Sequence, residues 1–139
     1  MKKNIKIGVI GGGSWATSIV KMLCENVESV NWWMKNEEAI NHIQKYGHNP
    51  NYISDAELKK NKLRLSSDIN EVINYSEYIV LAVPSAFLKN TLKNLTVSLE
   101  NKVVFSAIKG IVPENNTIVG DFVHEHYSCL LYTSPSPRD

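Results

Sequence analysis

The stretch Gly11-Gly12-Gly13-Ser14-Trp15-Ala16 follows directly on the apolar run Ile5-Lys6-Ile7-Gly8-Val9-Ile10. Glycine reaches backbone angles closed to other residues and lets another molecule touch the main chain, at a cost in conformational entropy on folding. Residues 4–10 are short, β-branched and bounded by glycines, as suits a buried parallel strand. After the glycines the period changes, and Ala16, Ile19, Val20 and Leu23 recur at helical spacing, which predicts a helix from Ser14 to about Asn26. Strand, glycine turn and helix in that order are the context in which G-x-G-x-x-G/A points to a dinucleotide. Gly11 would permit the tight turn, Gly13 would let a pyrophosphate approach the backbone, and Ala16 in the third position would let helix and strand pack closely. Amides at the helix start, aided by its dipole, would then hold the phosphates. The alternative is a glycine-rich connection that binds nothing.

Working outward, Val30-Asn31-Trp32-Trp33-Met34 reads as a second strand, and Glu37 to Tyr46 as a helix ended by Gly47. "HNPNYI" is polar, contains Pro50 and reads as loop. Leu63-Arg64-Leu65 is a short strand candidate, and Asp68 with Glu71 forms a capping box for a helix through about Tyr75. Tyr78 to Val83 is a clear strand, closed by Pro84. Ser85 then caps a helix carrying Phe87, Leu88, Leu92 and Leu95, and Lys102 to Ser106 gives a further strand. Strands alternating with helices imply βαβ units, hence an α/β fold with a doubly wound, mostly parallel sheet of the Rossmann type. From about Ser128 the text shifts to "SCLLYTSPSPRD", a Ser/Pro-rich end expected to continue neither sheet nor helix, and it resembles translated sequencing-adapter DNA. The expected division is therefore an NAD(P)-binding domain over residues 1–127 and a non-native or disordered tail over 128–139.

The 139 residues hold one domain with a real core. Hydrophobic content of 43%, charged content of 21% and a net charge of +1 suit an ordinary globular chain and give no bulk-charge argument for nucleic acid. The longest apolar run, Tyr78 to Pro84, is far short of the roughly 20 residues of a membrane helix. The N-terminus does not read as a signal peptide, and Cys24 and Cys129 form no disulfide framework, so a cytoplasmic location is expected. Cys24 reads as a small apolar helix residue. His42, His48, His124 and His126 lack the spacing and carboxylate company of a metal site, and no metal is expected.

About 20 residues beyond the glycines, an acidic residue would accept hydrogen bonds from the adenosine ribose. Here Lys35-Asn36 stand first, with Glu37 and Glu38 behind them. A lysine suits a 2′-phosphate, which puts NADP(H) ahead of NAD(H). The alternative is a solvated Lys35 with the glutamates turned inward.

"GGGSWA", "NWWMKN", "NPNYI", "AVPS" and "SAIKGI", in this order and spacing, resemble the N-terminal domain of bacterial NAD(P)-dependent glycerol-3-phosphate dehydrogenases over about residues 4–127. The resemblance implies reversible hydride transfer between NAD(P)H and dihydroxyacetone phosphate, giving sn-glycerol 3-phosphate for phospholipid synthesis. By motif, Ser14 and Trp15 are similar to a cofactor-contacting pair, and Lys35 falls where a basic residue faces the adenosine end. Trp15 is either an apolar wall beside the turn or a helix residue packing on the core. Val83 and Pro84 are expected in the wall under the nicotinamide, with Pro84 as a mere strand end the alternative, whereas Phe87 is expected in the core, with a place in that wall the alternative. Lys109 is implied to touch both cofactor and substrate, its cation steadying a phosphate or polarising a ketone oxygen, with Gly110 allowing close approach. Ala16 departs from the usual third glycine, and Lys35 from arginine or histidine. The glycine-rich substrate motif, the helical C-terminal domain and its general acid/base lysine have no counterpart in these residues, so no catalytic residue is assigned. A homodimer is among the arrangements the resemblance allows for the full-length enzyme. Two alternatives stand beside it: a non-catalytic NAD(P)-binding module, and a dehydrogenase of another small substrate.

Overall fold

A computed structural model of the chain describes residues 5–47, 49, 58–99, 102–107, 111–112, 117–118 and 131–133. In chain order the elements are β1 (Ile7–Ile10), α1 (Ser14–Cys24), β2 (Val30–Trp33), α2 (Glu37–Tyr46), a 3-10 turn (Lys60–Lys62) and β3 (Leu63–Ser66). Then follow α3 (Ile69–Asn74), β4 (Tyr78–Leu81), α4 (Ser85–Leu92), β5 (Val103–Ser106), β6 (Ile111–Val112), β7 (Thr117–Ile118) and β8 (Leu131–Thr133). Six strands form one sheet in the order β3-β2-β1-β4-β5-β8, every neighbouring pair parallel, while β6 and β7 pair antiparallel on their own.

β1 and β2 are buried along their whole length, because helices cover both faces of the sheet. Alternation along each strand sorts side chains into two cores. Ile7, Val9, Val30, Trp32 and Met34 meet Ala16, Val20 and Cys24 of α1 and Ala39, Ile40 and Ile43 of α2. On the other face Ile10, Trp33, Ile79 and Leu81 meet Ile69, Val72 and Ile73 of α3 and Leu88 and Leu92 of α4. Burying each Val, Ile or Leu contributes about 1.5–3 kcal/mol, so the two-sided seam at β1 and β2 anchors the domain.

The ends follow local chemistry. Asn36 caps α2 by accepting from the amides of Glu38 and Ala39 at 2.9 and 3.2 Å, and Gly47 closes it in the left-handed region at φ 81°. Lys62 Nζ donates to the carbonyls of Cys24 and Val27 at 2.6 and 3.2 Å, placing a cation at the negative end of α1.

Four expectations are corrected. Asp68 does accept from the Asn70 amide at 3.0 Å, but its own amide donates to Ser66 Oγ at 3.0 Å, so serine takes the place the capping box gives to Glu71. Ser85 is the first residue of α4, not its cap; the cap position is Pro84, whose missing N–H costs nothing there. Phe87 is not core but 59% exposed, since Leu88 and Leu92 carry the buried stripe of that helix. Finally, the chain after Ser128 does add to the sheet: Leu131–Thr133 pairs with β5 as a sixth parallel strand, ahead of the Ser/Pro run.

Candidate functional site

The strand order reverses between β1 and β4, so their carboxyl ends diverge into connections on opposite faces. Such a switch point opens a crevice at the carboxyl edge of a parallel sheet. The glycine turn leaves β1 there, and Ala82-Val83-Pro84 leaves β4 beside it. The Ala82 amide donates to Ile10 O at 2.9 Å, extending the pairing into the crevice floor.

Gly11 lies hard against that floor. Its φ is 141°, and a Cβ on it would stand 2.5 Å from Ala82 O. Gly13 is the opposite case, with ordinary φ of −86° and nothing within 4 Å of the place a Cβ would occupy. Ala16 is fully buried between α1 and the sheet. The three small residues thus meet three different neighbours: a strand end, open space and a packed core.

All three glycine carbonyls are tied to the protein. The buried Trp32 indole donates to Gly11 O at 2.6 Å, Asn49 Nδ2 donates to Gly12 O at 3.1 Å, and Thr17 Oγ1 donates to Gly13 O at 2.8 Å. In a trans peptide the N–H of the next residue points opposite to the carbonyl, and no cis bond occurs here. Fixing those carbonyls inward therefore aims the amides of Gly12, Gly13 and Ser14 outward. The helical ladder starts only when Thr17 N donates to Gly13 O at 2.9 Å, which leaves the amides ahead of it without a helical acceptor. Outward amides, the positive end of an 11-residue helix and open space above Gly13 together fit an anionic diphosphate.

Around the turn, Ser14 is exposed. Trp15 is 59% exposed, which excludes the core-packing reading and leaves a broad apolar surface on the first turn of α1. Phe87 stands equally exposed on the first turn of α4, after the other switch-point strand. Lys35 is exposed just past β2, next to Met34, whose Cβ is 3.0 Å from where a Gly12 Cβ would lie. Glu37 does not turn into the crevice, since its carboxylate accepts from Ser67 Oγ at 3.2 Å. Val83 is buried in the core under α4, and Pro84 is exposed at the sheet edge. Lys109 and Gly110 lie outside the described residues, as do His48, His124 and His126. Trp32, Thr17 and Asn49 are the site residues that motif spacing missed.

Elsewhere, a cavity of about 350 Å³ at the amino edge of the sheet is lined by Lys6, Asn31, Arg64, Ser76, Glu77 and Lys102 among others. Its contacts knit strand starts together: Asn31 Nδ2 donates to Tyr75 O and Ser76 Oγ, and Lys102 Nζ donates to Ser76 O at 2.6 Å. Burial pushes the Cys24 thiol above its ordinary pKa, against the pull of Lys62, so it is not a reactive thiolate. Among the described residues no three His, Cys, Asp or Glu gather as a metal site, and no helix is long and apolar enough to cross a membrane.

Strand order and glycine turn define a Rossmann-type domain. Residues 6–129 match the family model described as NAD-dependent glycerol-3-phosphate dehydrogenase N-terminus, and the chain belongs to that family. A curated glycerol-3-phosphate dehydrogenase (NAD(P)+) from Staphylococcus carnosus is 34% identical over 113 residues, 81% of this chain and 33% of that protein. The chain spans about a third of the length of the curated relatives it matches. A Plasmodium falciparum glycerol-3-phosphate dehydrogenase structure superposes with a TM-score of 0.79 at 22% identity, covering 91% of this chain and 39% of that one. The Coxiella burnetii enzyme gives a TM-score of 0.76 at 19% identity, covering 88% and 37%. The fold is therefore that of the amino-terminal part of these structures.

Proposed function

We propose that this chain holds a nicotinamide dinucleotide and serves as the cofactor domain for the interconversion of dihydroxyacetone phosphate and sn-glycerol 3-phosphate, a reaction that feeds phospholipid synthesis. One observation carries the reading: three carbonyls clamped inward beside an open Gly13, at the sheet's switch point. The amides of Gly12, Gly13 and Ser14 hold the diphosphate. Trp15 offers a rigid apolar wall beside it, Pro84 borders the nicotinamide side, and Val83 backs that border from the core. Lys109 and Gly110 keep the role the resemblance gives them, at the substrate's phosphate or ketone. When bound, the dinucleotide supplies or accepts hydride. The family membership favours this over a module that only stores the cofactor.

The test is calorimetric titration of the purified 139-residue chain with NADPH and NADH. Saturable binding is expected, with little or no NADPH-dependent reduction of dihydroxyacetone phosphate, because these residues hold no general acid assigned by the resemblance. Absence of binding by a folded chain overturns the proposal, and fast turnover overturns the division of labour.

The exposed Lys35 and the engaged Glu37 favour NADP(H) as the partner. An ammonium pairs with a 2′-phosphate, whereas a carboxylate repels it and accepts from a free ribose hydroxyl. Lys35→Asp is expected to move the NADPH-to-NADH affinity ratio about tenfold or more towards NADH, equivalent to about 1.4 kcal/mol. An unchanged ratio in parallel titrations removes Lys35 from the adenosine end.

A further inference from the structure

We infer that Asn49 is a positioning residue for the dinucleotide, locking the Gly12–Gly13 peptide so that its N–H faces the diphosphate. This rests on the reading of the turn as a diphosphate cradle. The peptides on either side have local holders: Trp32 of the neighbouring strand fixes the Gly11 carbonyl, and Thr17 in the same helix fixes that of Gly13. The peptide between them has neither. With glycine on both sides it meets no Cβ on rotation, so sterics alone choose weakly between its two orientations. Turned over, it would aim a carbonyl at an anion.

Asn49 supplies what is missing. Its side-chain amide reaches across 37 residues of sequence to Gly12 O at 3.1 Å and across 32 to Thr17 Oγ1 at 3.0 Å. Thr17 Oγ1, accepting from Asn49, directs its own proton to Gly13 O at 2.8 Å. One buried amide thus holds one carbonyl directly and the next through a hydroxyl. The residue is fully buried, so water cannot substitute for it. The task needs two N–H donors on a single short side chain, which asparagine has and aspartate lacks.

The experiment titrates NADPH and NADH into the wild-type chain and into Asn49→Leu, Asn49→Asp, Thr17→Val and Thr17→Ser, each shown to be folded by circular dichroism at the titration temperature. The affinity of the Asn49 variants for both coenzymes is expected to fall about tenfold or more. The NADPH-to-NADH ratio should stay as in the wild type, because the diphosphate is common to both. Thr17→Ser should restore what Thr17→Val loses. In the free Asn49→Leu chain the Gly13 amide resonance should move, a response of local peptide orientation and not of overall stability. Should neither Asn49 variant fold, the Thr17 pair decides by the same criteria. Folded variants within twofold of the wild type, or a ratio that moves as far as the affinities do, overturn the assignment. A wild-type chain that binds neither coenzyme brings down the cradle itself, whereas a binding wild type with indifferent variants brings down only the role of Asn49.

Discussion

Gly11→Ala is expected to lower the stability of the domain by about 2–4 kcal/mol, through overpacking and backbone strain acting together. The added methyl would stand 2.5 Å from Ala82 O and 2.8 Å from the Ala82 carbonyl carbon, distances real Cβ atoms do not show. Neither side can retreat. The Ala82 amide is bonded to Ile10 O, while Gly11 donates its own amide to Trp33 O at 3.0 Å and accepts from the Trp32 indole. The φ of 141° also lies where an L side chain is strained even in free space. For a chain of this size the melting midpoint should drop by roughly 10 °C. Differential scanning calorimetry of the two chains decides it, and a midpoint within 2 °C of the wild type would show that β4 can yield at Ala82.

The alternating pattern was enough for the strand and helix sequence because a buried parallel sheet leaves a simple trace: short β-branched runs, then apolar residues at helical spacing. It worked best where both signals were local. The α2 boundaries, Glu37 to Tyr46 with Gly47 in the left-handed region, follow from residues that touch one another. It failed where a competing neighbour, near or far in sequence, decided the outcome. Ser66 reaches the Asp68 amide before Glu71 does, and Phe87 is left outside because Leu88 and Leu92 already fill the stripe. The Ser/Pro character after Thr133 hid the short β-competent run Leu131-Tyr132-Thr133, which finds an open edge on β5.

The site divided along the same line. Gly11, Gly13 and Ala16 were legible because their spacing is set by one turn and the first turn of one helix. Their surroundings differ in the same three ways, a tight turn against Ala82 at Gly11, open space at Gly13 and close packing at Ala16. The carbonyl holders were not legible. Trp32 looks like any core aromatic of a buried strand, and only the parallel register that sets it opposite Val9 brings its indole to Gly11 O. Asn49 sits in a polar stretch whose composition says loop, and nothing in that composition distinguishes a solvated asparagine from a buried one. The Gly8 Cβ omission has the same origin, since only the fold shows Ser76 Oγ 2.6 Å from that position, where it accepts from Asn31.

Gly13→Ser should separate folding from binding, leaving the first intact and damaging the second. The φ and ψ of Gly13, −86° and −171°, are extended and open to any residue, and a Cβ there meets nothing within 4 Å. Gly13 is also the cap of α1 and gives it no side-chain hydrogen bond. Serine is the better capping residue, so stability is expected to stay level or rise by a few tenths of a kcal/mol. The gain comes from the hydroxyl accepting from the amides two and three residues on, those of Trp15 and Ala16, and these are amides an anion at the helix start would use. The Cβ meanwhile fills the open space above Gly13 that the proposed function gives to the diphosphate. Both effects weaken the same ligand, and the affinity for NADPH and for NADH should fall by about thirtyfold or more, equivalent to about 2 kcal/mol. Thermal melts paired with coenzyme titrations on the same preparations measure both halves. A folded Gly13→Ser chain that binds as tightly as the wild type would mean that no ligand comes close to that stretch of main chain, and the open space above it would lose its meaning.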